Sequence, residues 1–213
     1  MVVVLAALGP FFTLAVGPGG RPVLDLYRNA GGALDALVER HAERLGTAER
    51  RVAASILFQE FAARLWSPVL GSVAFDLPAP DLSAARLRWR DDPFRLGVAG
   101  PAAAATEPVA LVDEHLRPMV AAVVDRTGVA ADLLWGNAAS ALVGTLTVIR
   151  LNGGRVDIAT ARTLLDTEPL RGTGTLVRAD PPVFRRRSCC LYYRVPGGGL
   201  CGDCCLTQVP ARS

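Results

Sequence analysis

All five cysteines of this chain, Cys189, Cys190, Cys201, Cys204 and Cys205, lie within 17 residues near its C-terminus, and the 188 residues before them contain none. Bridges that staple a small secreted fold are spread along the sequence, whereas thiols gathered like this serve a metal or redox chemistry. The first four follow the spacing C-C-x10-C-x2-C. A C-x2-C turn aims two thiolates at one centre. The Pro196-Gly197-Gly198-Gly199 reversal returns the first pair to the second, and Gly202 is expected to allow the close backbone approach of that turn. Four converging thiolates suit zinc or an iron–sulfur cluster. Adjacent cysteines are awkward ligands for one tetrahedral ion, and two irons spread the sulfurs over a longer object. Spacing favours iron–sulfur over zinc without deciding between them.

The remainder is a scaffold. Hydrophobic residues make up 51% of 213, which is enough for a sizeable core. The net charge of +3 is too mild to imply nucleic acid. All 23 basic residues are arginine, which reads as genome composition rather than selection for guanidinium chemistry. From Arg171 onward seven arginines (171, 178, 185, 186, 187, 194, 212) face Asp180 and Asp203, so this part carries +5 while the whole chain carries +3. The cysteine-bearing tail is the basic part. The apolar run from Met1 to Val16 is broken at Gly9-Pro10 and lacks a basic start, so it fits neither a signal peptide nor a membrane span. Free thiols then point to a reducing, cytoplasmic compartment.

The chain reads as mainly α with a small β-hairpin and an irregular C-terminal cysteine-rich segment. A short helix, the Gly9-Pro10 break and a second apolar piece open it, and Gly17–Pro22 is a turn-rich linker. Leu34, Leu37, Val38 and Leu45 space as a helix over 31–45. Thr47 is expected to cap the next helix, which Pro68 is expected to stop near Trp66. Leu87–Arg90 and Phe94–Val98 alternate about Asp91-Asp92-Pro93 and predict a hairpin. Gly100–Thr106 is an Ala-rich loop. A helix through Val112–Val124 must kink or start late at Pro118. Asp132 is expected to cap a long helix to Arg150 with Leu134, Ala138, Leu142, Leu146 and Ile149 inward, ended by Asn152-Gly153-Gly154. A last short helix covers 157–166, and everything from Glu168 on reads as irregular or extended. Residues 1–180 form the helical region and 181–213 the cluster-binding segment packed on it, in one structural domain.

The run Arg186-Arg187-Ser188-Cys189-Cys190-Leu191-Tyr192-Tyr193, followed by Cys201-Gly202-Asp203-Cys204, resembles the C-terminal signature of the FhuF-like ferric iron (ferric-siderophore) reductases. Leu134-Trp135-Gly136-Asn137-Ala138-Ala139-Ser140-Ala141-Leu142 and, more loosely, Phe61–Leu70 resemble the same family upstream. The resemblance implies a [2Fe-2S] cluster held by Cys189, Cys190, Cys201 and Cys204, with Cys205 outside the pattern. It implies one-electron reduction of a ferric siderophore in the cytoplasm, a ferredoxin-type electron donor, and a position that is cytoplasmic or peripheral to a siderophore importer at the inner membrane. Arg185, Arg186, Arg187 and Arg194 are placed to offset the negative cluster or to dock an anionic chelate, with Tyr192 and Tyr193 shielding the site or contacting substrate. Three other readings are a structural zinc module, an iron–sulfur redox sensor and a relative that binds siderophore without turnover. The sensor lacks any recognition helix.

Other candidates have ordinary explanations. His41 and His115 sit among charged neighbours and read as surface residues. Gly172-Thr173-Gly174 has Val177 where a dinucleotide loop needs glycine. Asp113-Glu114 suits a helix start, and Asp91-Asp92 a turn. Trp135 reads as core, while Asn137 and Arg150 are candidates to face the site.

Overall fold

The structure is a computed structural model and describes residues 2–91, 93–100 and 105–210. Asp92 of the expected turn and most of the Ala-rich loop lie outside them. A short helix α1 (Val2–Ala7) and a 3-10 turn at Pro10–Phe12 lead into strands β1 (Ala15–Val16) and β2 (Arg21–Pro22). Helices α2 (Leu24–Tyr27), α3 (Ala33–Leu45) and α4 (Arg50–Ala74) follow, then strands β3 (Leu87–Asp91) and β4 (Phe94–Val98). A wide π-type turn at Val112–Leu116 continues without a break into α5 (Arg117–Thr127), so Pro118 lies inside a continuous helical run just past the π-bulge, an irregularity of the kind that accommodates a proline within a helix. Helices α6 (Ala131–Leu151) and α7 (Ile158–Leu165) precede a second pair of strands, β5 (Gly174–Ala179) and β6 (Pro182–Arg186).

The core is built on α4 and α6. Both are apolar around most of their circumference, and 18 residues of α4 are buried. Asn137 meets Ser55, Ser140 meets Gln59 and Thr145 meets Ser67. These contacts advance together along both chains, so the two helices run in the same direction. Ala138, Ala139 and Ala141 keep the buried surface of α6 thin. Trp66 donates its indole N–H to the Ala138 carbonyl at 3.2 Å and is fully buried. By length and composition α6 is apolar enough to cross a membrane, but 72% of its apolar window is buried in this fold.

Pro68 does not end α4. It sits buried inside the helix, which runs six residues further. Losing one backbone hydrogen bond costs about 3 kcal/mol. Burial of Val69, Leu70 and Ala74 against the core offsets that cost. Thr47 is likewise not the cap: its hydroxyl accepts from the Glu49 N–H at 3.2 Å, and the helix opens at Arg50. Asp132 lies in the first turn of α6 rather than at its cap, which is Ala130. Asp157, in contrast, caps α7 by accepting from the N–H groups of Ala159 and Thr160.

The predicted hairpin is present, with Trp89 opposite Leu96 and Leu87 opposite Val98. It is the centre of a four-stranded sheet ordered β1-β4-β3-β2, with β1 parallel to β4. The outer strands are two residues each, too short for a periodicity to show. The region expected to be irregular contains a second antiparallel hairpin, β5-β6, with a register irregularity between Leu176 and Arg178. Gly172-Thr173-Gly174 is its entry.

Both histidines are core residues, contrary to the surface expectation. His115 accepts from the Tyr27 hydroxyl at Nδ1 and donates from Nε2 to the Leu82 carbonyl, each at 2.6 Å. His41 is 4% exposed, and its Nδ1 accepts from Arg44. Burial lowers the pKa of both, that of His41 to about 4.

Candidate metal centre

Strand β6 lies along α6 and delivers the chain to the cysteines. The Thr147 hydroxyl donates to the Pro182 carbonyl at 2.6 Å, and the Arg187 N–H donates to Thr173 at 2.8 Å. Ser188 then crosses the start of α6 and donates to the Asp132 carbonyl at 3.3 Å. A Cβ at Gly136 would stand 2.4 Å from the Ser188 hydroxyl oxygen, so glycine there leaves that hydroxyl free to reach Asp132. Next, the Cys190 carbonyl accepts from the Ser55 hydroxyl of α4 at 2.7 Å. The segment is thereby tied to both central helices before its reversal begins.

The reversal is closed by its own backbone. Arg194 donates to Leu191 at 2.9 Å, Gly198 to Val195 at 2.8 Å and Cys204 to Cys201 at 3.1 Å. A Cβ at Gly198 would meet the Tyr192 carbonyl at 2.3 Å. Gly202, expected to be the required glycine, has nothing within 4 Å of a Cβ and no positive φ. The Arg194 Nε sits 2.9 Å from both carboxylate oxygens of Glu49, at the start of α4.

These constraints bring the two halves of the cysteine motif together. The sulfurs of Cys190 and Cys201 are 3.5 Å apart. Two thiolates on one tetrahedral metal sit about 3.8 Å apart, given metal–sulfur bonds of about 2.3 Å. The Cys189 sulfur accepts from the Leu191 N–H at 3.3 Å, and that of Cys204 from the Leu206 N–H at 3.4 Å. Cys190 and Cys204 are buried, while Cys189, Cys201 and Cys205 are partly exposed. The bond from Cys201 lowers the proton affinity of Cys190 and raises that of Cys201, and burial pushes the Cys189 thiol up to about 11. Among the described residues, no three His, Cys, Asp or Glu side chains gather at one ion-sized point. The pattern is a pair at metal spacing with further thiols beside it. A [2Fe-2S] cluster takes two thiolates on each iron, and four cysteines gathered in one segment with one pair already at metal spacing supply that number. The donor set therefore fits a two-iron cluster.

The arginines expected to share a docking surface are divided. Arg185 and Arg187 are exposed. Arg194 is spent on Glu49. Arg186 is fully buried, which removes it from any surface. Its Nη1 donates to the Asn137 Oδ1 at 2.9 Å, its Nη2 to the Gly136 carbonyl at 3.3 Å, and its Nε lies 3.3 Å from the Asp203 carboxylate. Asn137 faces the site as anticipated, but through Arg186 and Ser55. Arg150 pairs instead with Asp180 at the surface. Tyr192 is 41% exposed and Tyr193 is partly buried.

Sequence reasoning did not find Ser55, Asp203 or the cleft beside them. A cavity of about 730 Å³ runs between α4, α6 and the Leu8–Phe12 segment. Its walls include Phe11, Ala63, Val148 and Phe184, and its end is formed by Cys190 and Cys201. Its apolar wall is drawn from four separate parts of the chain, so no local pattern announces it.

Residues 186–206 match the family model described as the FhuF 2Fe-2S C-terminal domain. The match covers the arginine pair, all five cysteines and the intervening reversal, and it names the cofactor that the thiol geometry suits, a [2Fe-2S] cluster. No curated protein matches the chain.

Proposed function

We propose that this protein is a ferric-siderophore reductase that uses Cys189, Cys190, Cys201 and Cys204 to hold its [2Fe-2S] cluster. The observation that carries the reading is the match of residues 186–206 to a FhuF 2Fe-2S domain, over thiols whose geometry suits two irons. Siderophores bind Fe(III) through hard oxygen donors, and the softer, less highly charged Fe(II) is held far more weakly. One electron delivered to the chelated iron therefore releases it. When bound, the cluster supplies that electron and takes up the next.

The chain's own residues prepare the encounter. Cys190 and Cys201 stand at the end of the cleft, so a chelate entering it comes within a side chain's width of the ligand sulfurs. Apolar walls exclude water from the approach. Exposed Arg185 and Arg187, on and just after the strand that leads into the cysteines, offer a positive surface, which suits an acidic ferredoxin-type donor or an anionic chelate. Tyr192, at the rim of the cleft, offers a flat surface to the chelate. The proposed setting is cytoplasmic, with peripheral contact to a siderophore importer at the inner membrane.

The test is a single turnover. Protein purified without oxygen, reduced with dithionite and desalted is mixed with a ferric siderophore and a colorimetric Fe(II) chelator. About one Fe(II) per cluster is expected, together with bleaching reversed in the visible spectrum, and Cys201→Ser is expected to give none. Protein that carries two irons and two sulfides but is oxidised no faster than in buffer alone would refute the reductase reading and leave the cofactor standing.

A further inference from the structure

A buried guanidinium is an unusual neighbour for a set of thiolates. The side chain of Arg186 is 0% exposed, whereas that of its partner Asp203 is 18% exposed. Their atoms are 3.3 Å apart but not aligned for a hydrogen bond. Asp203 lies between Cys201 and Cys204, and its backbone carbonyl accepts from the Arg186 N–H at 3.1 Å. On its other side Arg186 grips Asn137, Asn137 donates to the carbonyl and hydroxyl oxygens of Ser55, and Ser55 donates to the Cys190 carbonyl. One cation thus reaches the C-x2-C turn directly and the first cysteine pair through two side chains.

Stability does not explain the arrangement. A buried ion pair recovers little more than its desolvation cost, and apolar residues of the same volume do as well or better. What the pair does supply is a field. Arg186 is dry, so its charge acts at low dielectric, while Asp203 is partly wetted and screened. The two charges do not cancel, and the residue left over is positive.

We infer that Arg186 is a positioning residue that raises the reduction potential of the cluster, and that Asp203 is its partial counterweight. Reduction adds one negative charge at the cluster, and a buried cation beside the ligands stabilises that state. The exposed Arg185 and Arg187 act through solvent and contribute little of this effect. The inference rests on the [2Fe-2S] reading and is independent of whether a siderophore is the substrate.

The experiment is a dye-mediated redox titration of the purified, cluster-loaded protein, followed by visible absorption and electron paramagnetic resonance without any chelate present. Arg186→Gln is expected to disfavour reduction at least tenfold, which is about 59 mV for one electron. Asp203→Asn is expected to move the potential in the opposite direction and by less. Arg186→Lys, which keeps the charge, is expected to stay nearer the wild type than Arg186→Gln. Arg178→Gln, an exposed change on the same hairpin, is expected to leave the potential within about twofold in equilibrium constant. Equal potentials for wild type and Arg186→Gln, or shifts of the same sign in Arg186→Gln and Asp203→Asn, would overturn the inference, because a purely structural clamp predicts one of those outcomes. Should Arg186→Gln fail to accumulate, Asp203→Asn decides: a positive shift supports the inference and an unmoved or negative one refutes it. Loss of Fe(II) release with the potential pattern intact counts against the siderophore reading alone. Wild-type protein without iron and sulfide counts against the cofactor.

Discussion

Cys205 stands one residue beyond the motif, partly exposed, and burial raises the pKa of its thiol. Nothing in its backbone distinguishes it from Cys204 except two contacts. The Cys204 N–H closes the C-x2-C turn on Cys201, and the Cys204 sulfur accepts from the Leu206 N–H. These two contacts fix the Cys204 side chain on the turn, and Cys205 follows it outside the closed ring. Cys205→Ser is expected to keep about two irons and two sulfides per chain, with the resonance signal of the reduced protein unchanged. Cys201→Ser removes the sulfur 3.5 Å from Cys190 and is expected to lose most of both. Iron and sulfide assays on the two variants, purified side by side without oxygen, check the contrast.

The two central helices carry the site, and they also show where sequence reading works and where it stops. The inward face of α6 was legible because Leu134, Ala138, Leu142, Leu146 and Ile149 repeat at helical spacing and all are buried. The cysteine cluster was legible because chemistry fixes its spacing. Pro68 was misread because a local rule about lost hydrogen bonds was outweighed by packing that only the tertiary fold supplies. The β5-β6 hairpin was missed because two adjacent prolines and three adjacent arginines obscure any alternation, and its partner contacts lie on α6. In the sequence no local pattern separates Arg186 from Arg185 and Arg187, which all read as offsetting the cluster or docking a chelate; strand geometry does separate them, by turning alternate residues to opposite faces. The junction of the helices gives a prediction at this scale. Trp66→Ala deletes a fully buried indole and its bond to Ala138, and is expected to cost about 3–5 kcal/mol of unfolding free energy. Denaturant titration followed by circular dichroism measures that loss, and cluster content is expected to fall with it, since Asn137 and Ala138 are neighbours on α6.

Across the whole molecule, two neutral histidines are locked into a fold that otherwise pairs most of its charges at the surface. His41 is held by burial and by Arg44, whose positive charge further disfavours protonation; both effects lower its pKa from 6.5 to about 4. His115 is held neutral by burial between Tyr27 and Leu82, with Glu114 opposing the effect only in part. In the unfolded chain both histidines take up a proton as pH falls through about 6.5, and in the folded chain they do not. The unfolded state then binds more protons, so stability decreases as pH falls from about 6.5 and levels off once the folded histidine also titrates. For His41 alone the loss amounts to about 2 kcal/mol at pH 5. Asp35, whose pKa is lowered by its bonds to Arg126, Asn29 and Arg50, acts in a separate window below about pH 4. Urea titrations at pH 7.5 and pH 5 are expected to show the decrease in wild type. His41→Leu fills the same buried site without a titrating group, so its difference between the two pH values is expected to shrink by the His41 share. The His115 contribution remains in that variant, which leaves a slope shallower than wild type but still of the same sign. A slope equal to wild type in His41→Leu would show that this histidine takes up its proton in the fold at the same pH as in the unfolded chain, and would place its charge at pH 5 in a core built to exclude it.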